Sequence, residues 1–150
     1  PSGRAKIISK NNKNILIDYA HNLGGIRAIV NSVSNIYHDL IIVYGCGGER
    51  DSSERGKIMK FTCANSRKVI FTSDNCRNES FQSILDDSRK DQEYSNLIVE
   101  PDRKQAIKNG IDALKEDEIL LILGKGHEEF QEIKGTKIPF NDQRVVEEIL

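Results

Sequence analysis

The chain has 150 residues, with 22 Lys and Arg against 23 Asp and Glu for a formal charge of −1. That length supports one domain with a sizeable core, and the balanced charge excludes a uniform field able to grip a nucleic-acid backbone or an anionic membrane surface. Cys46, Cys63 and Cys76 are odd in number, widely spaced and without a C-x-x-C pair, which argues against a disulfide framework or zinc site and for a reducing cytoplasm.

The polar start PSGRAKIISKNNKN carries no signal-peptide core, and no apolar run approaches the roughly 20 residues of a membrane helix. A first strand is predicted from Ile15 (ILID), followed by a helix capped at Asn22 whose stripe is Ile26, Ile29, Val30, Val33 and Tyr37. The run LIIVYG from Leu40 is a second strand, and VIFTS from Val69 a third, with a short helical segment over Ile58 to Cys63 between them. A further short helix around Phe81 to Leu85 leads to a strand from Leu97 (LIVE). Next come a helix behind an Asp102 cap, with Ala106, Ile107, Gly110, Ile111 and Leu114 on its stripe, and a strand from Ile119 (ILLILG). The tail predicts a hairpin around Gly135 and a last helix capped by Asn141 or Asp142.

Continuous apolar runs of this kind are strands buried on both faces. Their alternation with helices predicts crossover units: a doubly wound α/β domain with a mostly parallel sheet of about six strands and helices on both faces.

Ligands of such sheets sit beyond the carboxyl ends of the strands, so the segments just after each strand carry the functional information. They are DYAHN, GCGGERD, SDNCR and GKGHEE. One polar loop is ordinary; four at one edge form a constellation. GCGGERD has Arg50 where the dinucleotide fingerprint requires glycine. No P-loop is present either, because Gly124-Lys125 is followed by Gly126 and Gly56-Lys57 by Ile58.

The loops instead mix fixed charges. Arg50, Arg55 and Arg77 suit forked bonds to carboxylates or phosphates, and Asp74 and Glu128 suit an ammonium, a pattern that fits a zwitterion. His21 is open to two readings, a ribose or phosphate contact or a hydrogen-bonded structural histidine, while Asp18 could tie down the following turn and Tyr19 could pack. His127 beside Glu128 hints at acid/base work, but the sequence places no serine or cysteine to be activated and no metal-ligand spacing. Neither a catalytic triad nor a metal site is assigned. Lys57, Lys60 and Arg67 read as a solvated helical face.

In this order and spacing, from about Ile15 to Val145, the four loops resemble the C-terminal domain of the Mur ligases. The likeness is to the branch that adds the third residue of the peptidoglycan stem peptide, whose pattern runs DYAHTP, GCGGDRD, DNPR and GKGHE. The resemblance implies an ATP- and magnesium-dependent amide ligase in which a peptide carboxylate becomes an acyl phosphate attacked by an amino group. It implies that residues 1–150 are the Rossmann-like C-terminal domain, and that an N-terminal domain for the UDP-linked muramyl dipeptide and a central P-loop domain lie outside this chain. The 150 residues alone would then be inactive and would not hold ATP or magnesium tightly.

Carried over by motif, the resemblance places His21, Tyr19 and Asp18 near the nucleotide. It places Arg50, Asp74, Asn75, Arg77, Gly124 and Glu128 around the amino acid, with Arg77 going with meso-diaminopimelate rather than L-lysine. The implied setting is cytoplasmic, with small-molecule substrates and no nucleic-acid or membrane partner. Cys76 stands in place of the motif proline, Asn22 and Leu23 in place of threonine and proline, and Glu49 in place of aspartate. The competing expectation is a stand-alone flavodoxin-like module that binds an anion or amino acid through the same loops.

Overall fold

The computed structural model describes residues 5–150, so the first four residues of the polar start, and any reading of them, lie outside it. In chain order the elements are β1 (Lys6–Lys10), β2 (Lys13–Asp18), α1 (Leu23–Ser34), β3 (Asp39–Tyr44), α2 (Arg55–Ala64), β4 (Lys68–Phe71), α3 (Phe81–Arg89), β5 (Leu97–Val99), α4 (Arg103–Ala113), β6 (Glu118–Leu123), β7 (Phe130–Ile133), β8 (Thr136–Pro139) and α5 (Asp142–Ile149).

Six strands form one sheet in the order β1-β2-β6-β3-β4-β5, and β7-β8 form a separate hairpin. Strands β2 to β6 are parallel, and β1 runs antiparallel to β2 at the edge. This is the expected Rossmann-like arrangement.

Both sheet faces are buried because successive strand residues point to opposite sides. Leu16, Leu40, Ile42, Val69, Phe71, Leu121 and Leu123 pack with Ile26, Val30 and Val33 of α1, Ile58 and Met59 of α2, and Ile84 and Leu85 of α3. Ile15, Ile17, Ile41, Val43, Ile70, Leu120 and Ile122 pack with Ala106, Ile107 and Ile111 of α4 and Val145 and Val146 of α5. Three helices therefore cover one face and two the other.

The predicted caps are formed. Asn22 accepts from the Gly25 amide, Asp102 from Lys104 and Gln105, and Asn141 from Arg144. Asn141 is thus the cap of α5, and Asp142 is its first helical residue. α1 ends at Ser34, short of Tyr37, which still packs on the core.

Strand β1 was not expected, because its alternation KIISK lies in a lysine-rich start and buries little. Asn11 and Asn12 turn it into β2 with positive φ at both positions (54° and 62°), which is the backbone of a tight hairpin turn whose twist matches the strands. Arg67 also departs from expectation. It lies beyond α2, donates to both oxygens of buried Glu118 and to the Ala113 carbonyl, and so braces the amino-terminal end of β6 instead of facing solvent. Lys57 and Lys60 are exposed.

Candidate functional site

Because β6 is inserted between β2 and β3, the strand ends stand level across the sheet: Asp18 and Tyr44 each pair in register with Leu123, and Phe71 with Tyr44. The loops that follow therefore start from one line and enclose a cleft of about 380 Å³, within the roughly 300–1,000 Å³ of small-molecule sites. Tyr19, His21, Arg50, Asp74, Asn75, Arg77, Gly124 and Glu128 line it, together with Arg55. A wider depression of about 810 Å³ lies at the opposite end, around the β1–β2 turn and residues 114–117. It is at the strand starts, away from the carboxyl ends where ligands of such sheets bind.

Backbone proximity explains two of the glycines. A Cβ on Gly48 would overlap the Cys76 carbonyl oxygen, so the loops after β3 and β4 touch through their main chains, and the Gly48 amide donates to the Asn75 carbonyl at 2.7 Å. Gly124 has φ +111°, and a Cβ there would stand 2.6 Å from Asp74 Oδ2. Only glycine lets β6 end with that carboxylate pressed against its backbone.

Asn75 ties three segments together. Its Oδ1 accepts from Lys125 Nζ at 2.9 Å and from the Glu132 amide at 2.9 Å, and its Nδ2 donates to Glu128 Oε1 at 3.4 Å. Arg77 adopts a left-handed backbone (φ 56°). In that conformation its amide donates to the Glu132 carbonyl and its carbonyl accepts from the Lys134 amide, docking the β7–β8 hairpin onto the loop after β4. The guanidinium is oriented through Nε to Glu132 Oε1 at 3.1 Å and through Nη1 to the Gly48 carbonyl at 2.9 Å, and Nη2 has no partner among the described residues.

A buried arginine with partly exposed carboxylate partners braces the wall. Arg55 grips both oxygens of Glu79 at 2.9 and 3.0 Å and also donates to Asp87 and to the Gly47 carbonyl. The Arg55 bonds hold the Glu79 carboxyl down at about 2. Cys46 lies on the cleft wall, and burial pushes its thiol up to about 12. Cys76 is buried and its thiol is likewise raised by burial, so the residue standing where the motif has proline is a packed apolar group.

Asp18 is the one expected site residue that does not line the cleft. Its Oδ1 accepts from the Ala5 amide at 2.6 Å, its Oδ2 from the Ala20 amide at 2.7 Å, and its carbonyl from the Gly124 amide at 3.1 Å. It shapes the floor of the site by clamping backbone. Tyr19 and His21 meet edge to face with ring centroids 4.8 Å apart. His21 Nδ1 is 3.0 Å from the Tyr19 carbonyl oxygen, an acceptor only, so Nδ1 carries the proton in this bond and Nε2 is left for a ligand. Arg50 is exposed at the rim, donating to the Glu49 carbonyl. His127 is exposed and lies outside the cleft lining.

Sequence reasoning missed Lys125, Glu132, Glu79, Arg103 and Asp142 as builders of the site. The available signals were faint: a lysine directly after six buried strand residues, and charged residues at the first positions of α4 and α5.

The fold is thus an α/β domain whose strand-end cleft is lined by side chains of opposite charge. A family model described as "Mur ligase, glutamate ligase domain" matches residues 3–126, and the chain belongs to that family. It is 40% identical over 154 residues to "UDP-N-acetylmuramoyl-L-alanyl-D-glutamate--2,6-diaminopimelate ligase" of Aquifex aeolicus (strain VF5), covering 99% of this chain and 31% of that ligase. The ligase of the same name from Clostridium perfringens (strain 13 / Type A) is 37% identical over 152 residues, again covering 99% of this chain and 31% of that one.

A solved structure of a ligase of that name superposes with a TM-score of 0.92 at 30% identity, covering 99% of this chain and 31% of that chain. Folylpolyglutamate synthase from Thermotoga maritima matches with a TM-score of 0.62 at 25% identity, covering 83% of this chain and 28% of that one. The chain thus spans about a third of the length of the curated relatives it matches.

Proposed function

We propose that this chain is the amino-acid-presenting, carboxy-terminal domain of a cytoplasmic ATP-dependent amide ligase. In this reading the ligase joins meso-diaminopimelate to UDP-N-acetylmuramoyl-L-alanyl-D-glutamate in peptidoglycan synthesis. The observation that carries the reading is the charge layout of the cleft. Arg77 Nη2 and, among the described residues, the unbonded oxygens Oδ2 of Asp74 and Oε2 of Glu128 belong to side chains lining one cavity. A carboxylate and an ammonium of one molecule can be gripped there together. The names of the similar ligases support the choice of amino acid.

The sequence holds no P-loop, so the ATP phosphates and magnesium are assigned to the part of the ligase that precedes this domain. This chain contributes Tyr19 and His21 on the nucleotide's open side, with His21 Nε2 free to meet a ribose hydroxyl or, once protonated, a phosphate. Rigid-body closure of the domain brings the bound amino group to the activated carboxylate and excludes water. By this reading the 150 residues alone release no phosphate from ATP. A G-x-x-x-x-G-K-[ST] stretch encoded upstream of Pro1 would support it, and a start codon directly before Pro1 would favour the stand-alone module.

The deciding experiment compares meso-diaminopimelate with L-lysine. Lysine lacks the distal carboxylate, so binding it leaves Arg77 Nη2 desolvated without an acceptor while Glu132 holds only Nε, at a cost of about 2–3 kcal/mol. That corresponds to roughly thirtyfold or more in kcat/KM. The full-length ligase should show this preference and Arg77→Ala should lose it. Equal use of both amino acids by both forms would overturn the substrate assignment.

A further inference from the structure

Lys125 is fully buried and does not line the cleft, yet it carries an ammonium. All three of its donors are used: Nζ lies 2.9 Å from Asn75 Oδ1, 3.0 Å from Glu128 Oε1 and 2.7 Å from the Phe130 carbonyl oxygen. Asp74 Oδ1 is 3.8 Å away. An isolated buried ammonium is strongly unfavourable, so the arrangement persists only with every acceptor in place. Three of the four neighbours, Asn75, Asp74 and Glu128, line the cleft. The fourth anchors the start of the hairpin that carries Glu132, the partner of Arg77.

We propose that Lys125 is the positioning and charge-setting residue of the amino-acid pocket. It holds Glu128 by one oxygen and leaves the other for the substrate ammonium, and it offsets one of the two carboxylates so that the Asp74–Glu128 corner of the pocket presents a net single negative charge. The pocket is thereby matched to one ammonium group of a diamino acid, the other amine being the one that reacts. This inference rests on the ligase reading above.

The test is steady-state kinetics of the full-length ligase carrying Lys125→Met, Glu128→Gln or both, with KM measured separately for the diamino acid and for ATP. Lys125→Met should raise the diamino-acid KM tenfold or more while the ATP KM stays within about twofold. In the double variant the two effects should be far from multiplicative, because Lys125 acts through Glu128. Should Lys125→Met fail to fold, Lys125→Arg, which keeps the charge but displaces the donors, should show the same selective rise in the diamino-acid KM. Parallel rises in both KM values, an unmoved diamino-acid KM, or multiplicative effects in the double variant would overturn the positioning role alone. Absence of diamino-acid-dependent turnover in the unmutated ligase would overturn the proposed function and this inference with it.

Discussion

Arg103 and Asp142, the first residues of α4 and α5, form a fully buried doubly hydrogen-bonded pair, Nε to Oδ1 at 2.8 Å and Nη2 to Oδ2 at 2.9 Å. The guanidinium also donates to the Ser73 and Leu123 carbonyls just beyond and at the ends of β4 and β6. The pair therefore pins two helices to the strand ends that open into the cleft. Removing one partner strands a buried charge, so Asp142→Ala should cost about 3–5 kcal/mol, and replacing both residues by apolar ones of similar volume should cost much less. Urea denaturation of the single and double variants checks this; a double variant as unstable as the single would contradict it.

Gly124→Ala should damage the site from its backbone. The new methyl group would press on Asp74 Oδ2 at 2.6 Å, and φ +111° strains any residue with a side chain. A loss of about 1–3 kcal/mol is expected and, on the proposed ligase reading, a higher amino-acid KM in the full-length ligase because Asp74 must move. Thermal melts together with amino-acid kinetics test it, and unchanged values in both would show that the loop relaxes freely.

The Arg55–Glu79 pair predicts an acid-side dependence. Because the folded Glu79 carboxyl sits at about 2, below its ordinary 4.5, its contribution is fully present above pH 4.5 and is lost as pH falls from 4.5 toward 2. Partial exposure of Glu79 limits that contribution to about 1–2 kcal/mol. The stability difference between the unmutated protein and Glu79→Gln should shrink across this window. A difference independent of pH there would rule the pair out as its source.

Burial raises Cys46 to about 12 and Cys63 to about 11. At pH 8 only about one in 10⁴ of Cys46 and about one in 10³ of Cys63 would be thiolate, so both should alkylate orders of magnitude more slowly than an unfolded thiol. Mass spectrometry after iodoacetamide treatment, with and without denaturant, measures this. Rapid labelling of Cys46 in the folded protein would contradict so raised a thiol.

The local sequence was enough to place five parallel strands, the stripes of the major helices, the caps at Asn22 and Asp102, the last cap to within Asn141 or Asp142, and the turn at Gly135. Each of these is written in neighbouring residues through periodicity or a capping side chain. The four strand-end loops were legible for the same reason, since a parallel sheet brings its carboxyl ends to one edge whatever the strand order. Strand β1 escaped because an exposed edge strand carries little apolar pattern.

Tertiary structure alone decided which charges face the cleft and which are paired inside the protein. Asp18 was open in sequence to a ligand contact or to tying down a turn, and in the fold its two oxygens accept from the Ala5 and Ala20 amides. Lys125 resembles a loop lysine and is a buried brace whose partner Asn75 lies 50 residues away. Arg103 and Asp142 are 39 residues apart, and Arg77 depends on a hairpin 55 residues downstream for its orientation. Pairings at such separations are set by how strands are ordered and helices crossed, which no local pattern of residues encodes.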